Sequence, residues 1–143
     1  MSHAMDRSER EAFLADLHVG VLGISADDRA LAVPIWYGYE PGGDVWVITD
    51  PRSIKGRAFE AAGRYSLCAQ TEDPPYKYVS VEGPVSAIED SSDEISRAMA
   101  HRYLGPELGD LYIESTASES AGNRVYRMTP DTWYTVDYAK DLG

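Results

Sequence analysis

The sequence predicts a mainly β protein: a six- or seven-stranded antiparallel barrel with two to four flanking helices, forming a single domain over residues 1–143. Three observations carry this reading. Strand-like runs of β-branched and aromatic residues recur along the chain, and the first three are joined by connections too short for crossover helices. Amphipathic helical patterns are few and lie between groups of strands. No alternating βαβ rhythm, GxGxxG or Walker A sequence is present, which disfavours a doubly wound nucleotide-binding fold.

The elements follow in order. Arg7 to Leu17 places Phe13, Leu14 and Leu17 at helical spacing, with Ser8 as the expected cap and Glu11 three residues on. His18 to Ser25 is an apolar strand, and Asp27-Asp28 a turn. Leu31 to Glu40 and Asp44 to Thr49 are strands joined through Pro41-Gly42-Gly43, which together read as a meander. Ser53 to Ala62 is a helix that Gly63 ends. Tyr65 to Thr71 is a strand, Pro74-Pro75 breaks the chain, and Tyr76 to Ile88 is a long strand with a kink expected at Gly83-Pro84. Ser91 to Leu104 is an amphipathic helix, Leu108 to Ile113 also reads as helical, and Arg124 to Met128 and Trp133 to Tyr138 close the sheet.

Composition narrows the partners. Lys+Arg 13 against Asp+Glu 24 leaves a formal charge of −11, which argues against nucleic acid and anionic membranes. No apolar run reaches the roughly 18 residues that span a bilayer. Met1 to Met5 lacks the apolar stretch of a signal peptide and is set aside, as a tag remnant or disordered end. The lone Cys68 has no disulfide partner and reads as buried filler, which suits a reducing, cytoplasmic setting. His3, His18 and His101 lack ligand spacing, so no metal site is expected.

Within the acidic chain, Arg52, Lys55, Arg57 and Arg64 form a basic island opposed only by Glu60. Thr49-Asp50 precedes it at a strand exit and Ser53 opens the helix, so backbone N–H groups, a hydroxyl and an ammonium converge as a phosphate requires. The plain alternative is a solvated basic helix face. Pro34-Ile35-Trp36-Tyr37 could offer flat surfaces and backbone groups to a planar ring, or simply fill core and rim. Tyr76, Lys77 and Tyr78 could line a substrate mouth or a subunit interface. No acid, base or nucleophile set stands out, so hard chemistry would come from a bound cofactor.

The order HVGVLGIS, VPIWYGYEPGGDVWVIT, SIKGR and PPYKYVSVEGPV resembles the pyridoxamine 5'-phosphate oxidase-like split-barrel flavoproteins, in particular their small flavin- or deazaflavin-dependent oxidoreductase branch. The resemblance implies a split barrel, a homodimer with cofactor clefts between subunits, and hydride transfer to a small unsaturated or aromatic substrate. It implies that Lys55 holds the cofactor phosphate beside Ser53 and Arg57, with Thr49 and Asp50 at the strand exit. Val33, Pro34, Ile35, Trp36 and Tyr37 would run along the ring, Gln70 and the Tyr76 to Tyr78 stretch would approach from neighbouring strands or the other subunit, and Trp133 would close the cleft. Tyr37 and Tyr76 are the candidate proton donors. The C-terminal Arg/His segment of true pyridoxamine-phosphate oxidases is lacking, so vitamin synthesis is not expected. FMN is the favoured cofactor and deazaflavin coenzyme F-420 the alternative, since an acidic tail suits a −11 chain poorly. The competing readings are a non-catalytic module that binds or senses a flavin, haem or similar ligand, and a structural dimer with an empty cleft.

Overall fold

The fold is that of a computed structural model, which describes residues 3–142. Among the described residues there are seven antiparallel strands and three α-helices, as expected, and a short 3-10 turn at Tyr138–Asp141. The strand order is β2-β1-β4-β5-β6-β3, with β7 paired to β5 beside this path.

Strands β1 (Gly20–Ala26) and β2 (Arg29–Ile35) form a tight hairpin. Asp27 and Asp28 turn it with φ of 50° and 64°, the left-handed pair that matches the twist of a two-residue hairpin. The expected meander does not continue. Strand β3 (Val45–Thr49) meets the chain after β2 only at an isolated Gly38–Trp46 bridge and pairs instead with β6 (Arg124–Met128). Strands β2 and β3 are therefore the two ends of the sheet path, which leaves the barrel split between them.

Strand β5 (Lys77–Asp90) joins the two halves. Its first part pairs with β4 (Arg64–Gln70) on one side and β7 (Thr132–Asp137) on the other. Its last part pairs with β6 after a register shift between Val85 and Ala87, just beyond the expected Gly83-Pro84 kink. Alternation along β1, β3 and β4 sends Leu22, Val45, Val47 and Leu67 into a core completed by Val79, Val81, Tyr126 and Met128.

Helix α1 (Arg7–Ala15) is capped two residues earlier than expected. Asp6 accepts from the Glu9 N–H at 2.8 Å and Glu9 accepts from the Asp6 N–H at 3.0 Å, a box that the Ser8–Glu11 reading misplaced because two offset pairs satisfy the same pattern. Of the five N-terminal residues set aside, two lie outside the described residues. The other three run beside β7, where the His3 carbonyl accepts from Asp137 N at 2.8 Å and Met5 N donates to Thr135 Oγ1 at 2.9 Å.

Helix α2 (Ile54–Ala62) drives Phe59 into the core and ends at Gly63. Its first turn lies so close to the preceding loop that a Cβ on Gly56 would collide with the Asp50 carbonyl and the Pro51 backbone. Helix α3 (Asp93–Ser120) extends well past the expected end at Ile113. It breaks at Gly105, where φ of 80° needs glycine, and restarts at Pro106. Asp110 ties the second half to the first, accepting from Arg97 at 2.6 Å and lying 2.7 Å from His101 Nε2. No helix among the described residues is long and apolar enough to cross a membrane.

Candidate functional site

The split between β2 and β3 holds a cavity of about 400 Å³, within the range of small-molecule sites. One wall is the end of β2, Pro34 and Ile35, with Trp36 directly after it. Strand β3 gives Ile48, the start of α2 gives Lys55, and α3 covers the opening with Met99, Tyr112 and Ile113. Strand β2 is an edge strand, so one side of its backbone has no ladder partner and faces this seam.

Trp36 is fixed by two aromatic neighbours from α3. Tyr103 stacks on it at 5.0 Å and 6°, and Tyr112 tilts against it at 5.4 Å. The Tyr103 hydroxyl lies 2.6 Å from the His18 carbonyl and 3.2 Å from the Tyr37 carbonyl, and accepts from the Tyr37 N–H at 3.1 Å. One side chain of α3 thus sets the path of the chain at the end of β2 and the start of β1.

Among the described residues the basic island keeps two cations with no carboxylate within ion-pair distance, Lys55 and Arg57, and of these only Lys55 lines the cavity. Arg52 is bound to Asp50 through both carboxylate oxygens, and that contact holds the Asp50 carboxyl below its usual range. Arg64 is paired with Asp131 and Glu82. Arg57 donates to the Arg52 carbonyl at 3.2 Å and lies two residues from Lys55, so the two cannot share a helix face. Among the described residues no carboxylate lies within ion-pair distance of Lys55, which lines the cavity at the first turn of α2. The local fold explains this placement: Ser53 caps the helix, accepting from Gly56 N at 3.0 Å and donating to the Asp50 carbonyl at 2.6 Å. Its hydroxyl proton is thereby committed to the turn.

Of the expected site residues, Pro34, Ile35, Trp36 and Lys55 come together at the cavity. The others stand elsewhere. Val33 packs toward the core, as alternation along β2 requires. Tyr37 is fully buried, and its hydroxyl donates to the Leu14 carbonyl at 2.6 Å. Burial, with Tyr103 adding to it, pushes the Tyr37 pKa up, so this phenol is a structural anchor outside the cavity lining rather than the proton donor expected. Thr49 is buried behind the α2 turn, within 3.4 Å of Ser53 Oγ. Trp133 lies against α1 beneath Arg10, whose guanidinium sits 4.5 Å from the ring, and so does not close this cavity. Gln70 at the end of β4 and the half-exposed Tyr76 also lie outside its lining.

Sequence reasoning missed the whole α3 wall. Besides Met99, Tyr112 and Ile113 it brings Ser96, Thr116, Glu119 and Ser120 to the cavity, with Asn123 just beyond. The signal was weak because the helix pattern is interrupted at Gly105-Pro106, and nothing local says that its second half folds back over the barrel. His18 and His101 are both engaged, His18 with the Phe13 carbonyl at 3.1 Å and His101 with Asp110. Burial pushes the thiol of the half-buried Cys68 up, away from a reactive thiolate.

Fold and cavity together define a split β-barrel with a small-molecule cleft at its seam. Solved structures share this fold. A conserved hypothetical protein from Mycobacterium tuberculosis superposes with a TM-score of 0.78 at 19% identity, over 98% of this chain and 89% of that one. An F-420 reductase gives 0.72 at 18% identity, covering 87% and 94% of the two chains. A FAD-binding protein from Mesorhizobium loti gives 0.61 at 19% identity, covering 92% of each. The chain belongs to the pyridoxamine 5'-phosphate oxidase family, whose profile matches residues 6–135. No curated protein matches the sequence.

Proposed function

We propose that this chain is an FMN-dependent oxidoreductase acting on a small unsaturated or aromatic substrate. The observation that carries the reading is Lys55, an ammonium with no ion-pair partner among the described residues, lining the same ring-sized cavity as Pro34, Ile35 and Trp36. The residues fit the group. Lys55 and the free N–H groups of the first turn of α2 suit one phosphate, and the open edge of β2 suits the hydrogen-bonding rim of a flavin ring. When bound, the cofactor supplies reversible hydride transfer at its ring. The chain supplies position, apolar surface from Pro34, Ile35, Ile48 and Met99, and Tyr112 as the cavity-lining phenol in place of Tyr37. The fold neighbours that their names describe as a F-420 reductase and a FAD-binding protein support a flavin-type cofactor for the class.

The reading includes a homodimer. Pairing across the sheet aligns Pro34, Val21, Cys68, Ser80 and Tyr134 in one register row, uncharged from end to end, with Val21 and Tyr134 exposed. A second copy laid on this face would begin at the cavity wall, at Pro34, and would bring Gln70 and Tyr76 to bear from outside the lining. A reducing, cytoplasmic setting fits the free thiol of Cys68.

The test is a visible-absorbance titration of the purified protein with FMN. Lys55→Ala should lower affinity by about 1.5–3 kcal/mol, the scale of a charge-assisted hydrogen bond, or roughly ten- to a hundredfold. An absence of FMN and F-420 binding at micromolar concentration would overturn the reading.

A further inference from the structure

The cavity is lined by two helix ends of opposite sign. On one wall stand Lys55 and the N-terminus of α2. The end of α3 lines the same cavity, and its last turn carries no basic residue. Glu119 lines the cavity there, and the carbonyls of that turn add the negative end of a helix dipole. The neighbouring hydroxyls do not offset this. Thr116 donates to the Tyr112 carbonyl at 2.8 Å and Ser120 to the Ala117 carbonyl at 3.4 Å, so both present lone pairs to the cavity. Glu119 itself is exposed, and among the described residues no side-chain hydrogen bond or ion pair holds it elsewhere.

We infer that Glu119 is a specificity residue, which limits the site to a cofactor ending in one phosphate and disfavours those whose chain continues with further anionic groups. This rests on the flavin reading above. A compact phosphate is neutralised on the α2 wall. A dinucleotide pyrophosphate or a polyglutamyl tail adds negative charge in the cavity that Glu119 and the end of α3 also line. The penalty is electrostatic and partly screened, so it is a matter of several-fold, and salt weakens it.

The experiment compares dissociation constants for FMN, FAD and coenzyme F-420, read from cofactor absorbance and fluorescence, in the full chain, Glu119→Gln and Glu119→Lys. Because Glu119 is exposed near a helix end, neither variant should disturb folding, and circular dichroism checks this. The expected result is that Glu119→Gln strengthens FAD and F-420 three- to tenfold relative to FMN, and Glu119→Lys does so further. Raising salt should narrow the same gap in the unaltered chain more than in Glu119→Gln. Equal changes for all three cofactors, or none, would overturn the inference while leaving flavin binding intact. Failure of every cofactor to bind the unaltered chain would overturn the flavin reading and this inference with it.

Discussion

Lys55 and Tyr37 show how a single side chain's surroundings decide its role. Both stand in motifs that the sequence marks as functional, one in Ser53-Ile54-Lys55-Gly56-Arg57 and the other beside Trp36. Lys55 keeps its charge unpaired at a cavity, whereas the Tyr37 hydroxyl is spent on the Leu14 carbonyl inside the core. Tyr37→Phe should therefore act on stability, costing about 1–3 kcal/mol in a urea titration by leaving a buried carbonyl unsatisfied, and should leave FMN affinity unchanged. A large loss of affinity at full stability would return Tyr37 to the site. The four-residue basic island was legible in the sequence, but the neutralisation of Arg64 within it was not. The partners that neutralise Arg64, namely Asp131 and Glu82, lie far along the chain and meet it only through sheet register.

At the scale of elements, the strands and α2 were legible because alternation, turn dipeptides and the Ser53 and Gly63 caps are local signals. The pairing of β3 with β6, and the return of α3 over the seam, depend on contacts between distant segments and leave no local trace. The return is held by Asp110, whose bonds to His101 and Arg97 clasp the half-helices across the Gly105 break. Asp110→Ala should loosen the second half, seen as faster amide exchange from Glu107 to Ser120 with β1 and β4 unchanged. Uniform protection across α3 would show that apolar packing alone holds it. On the outer sheet face, Val21→Glu should convert a two-chain particle to one chain by light scattering without lowering the unfolding temperature. A single-chain mass for the unaltered protein would contradict the homodimer.

For the whole molecule, the charge of −11 combines general repulsion with a set of local attachments. Bonds to Arg52, to Arg64, and to His101 and Arg97 hold Asp50, Asp131 and Asp110 below the usual carboxylate range, and the Glu9 N–H does the same for Asp6. Groups depressed in the folded state stabilise it above their unfolded values, and that stability is lost as the pH falls through the folded ones. Net repulsion relaxes over the same descent. The unfolding temperature should therefore hold or rise from neutral pH to about 5 and fall below about pH 4. A steady rise down to pH 3 would show that repulsion outweighs the paired carboxylates.

The acidic chain, and Lys55 at the seam cavity with no carboxylate partner among the described residues, make a single ligand phosphate the centre of the account. The most direct measurement is the FMN dissociation constant of the full chain and of Lys55→Ala, by visible absorbance at low ionic strength. The account expects micromolar or tighter binding that weakens roughly ten- to a hundredfold in the variant. Equal affinity in the two proteins would contradict it.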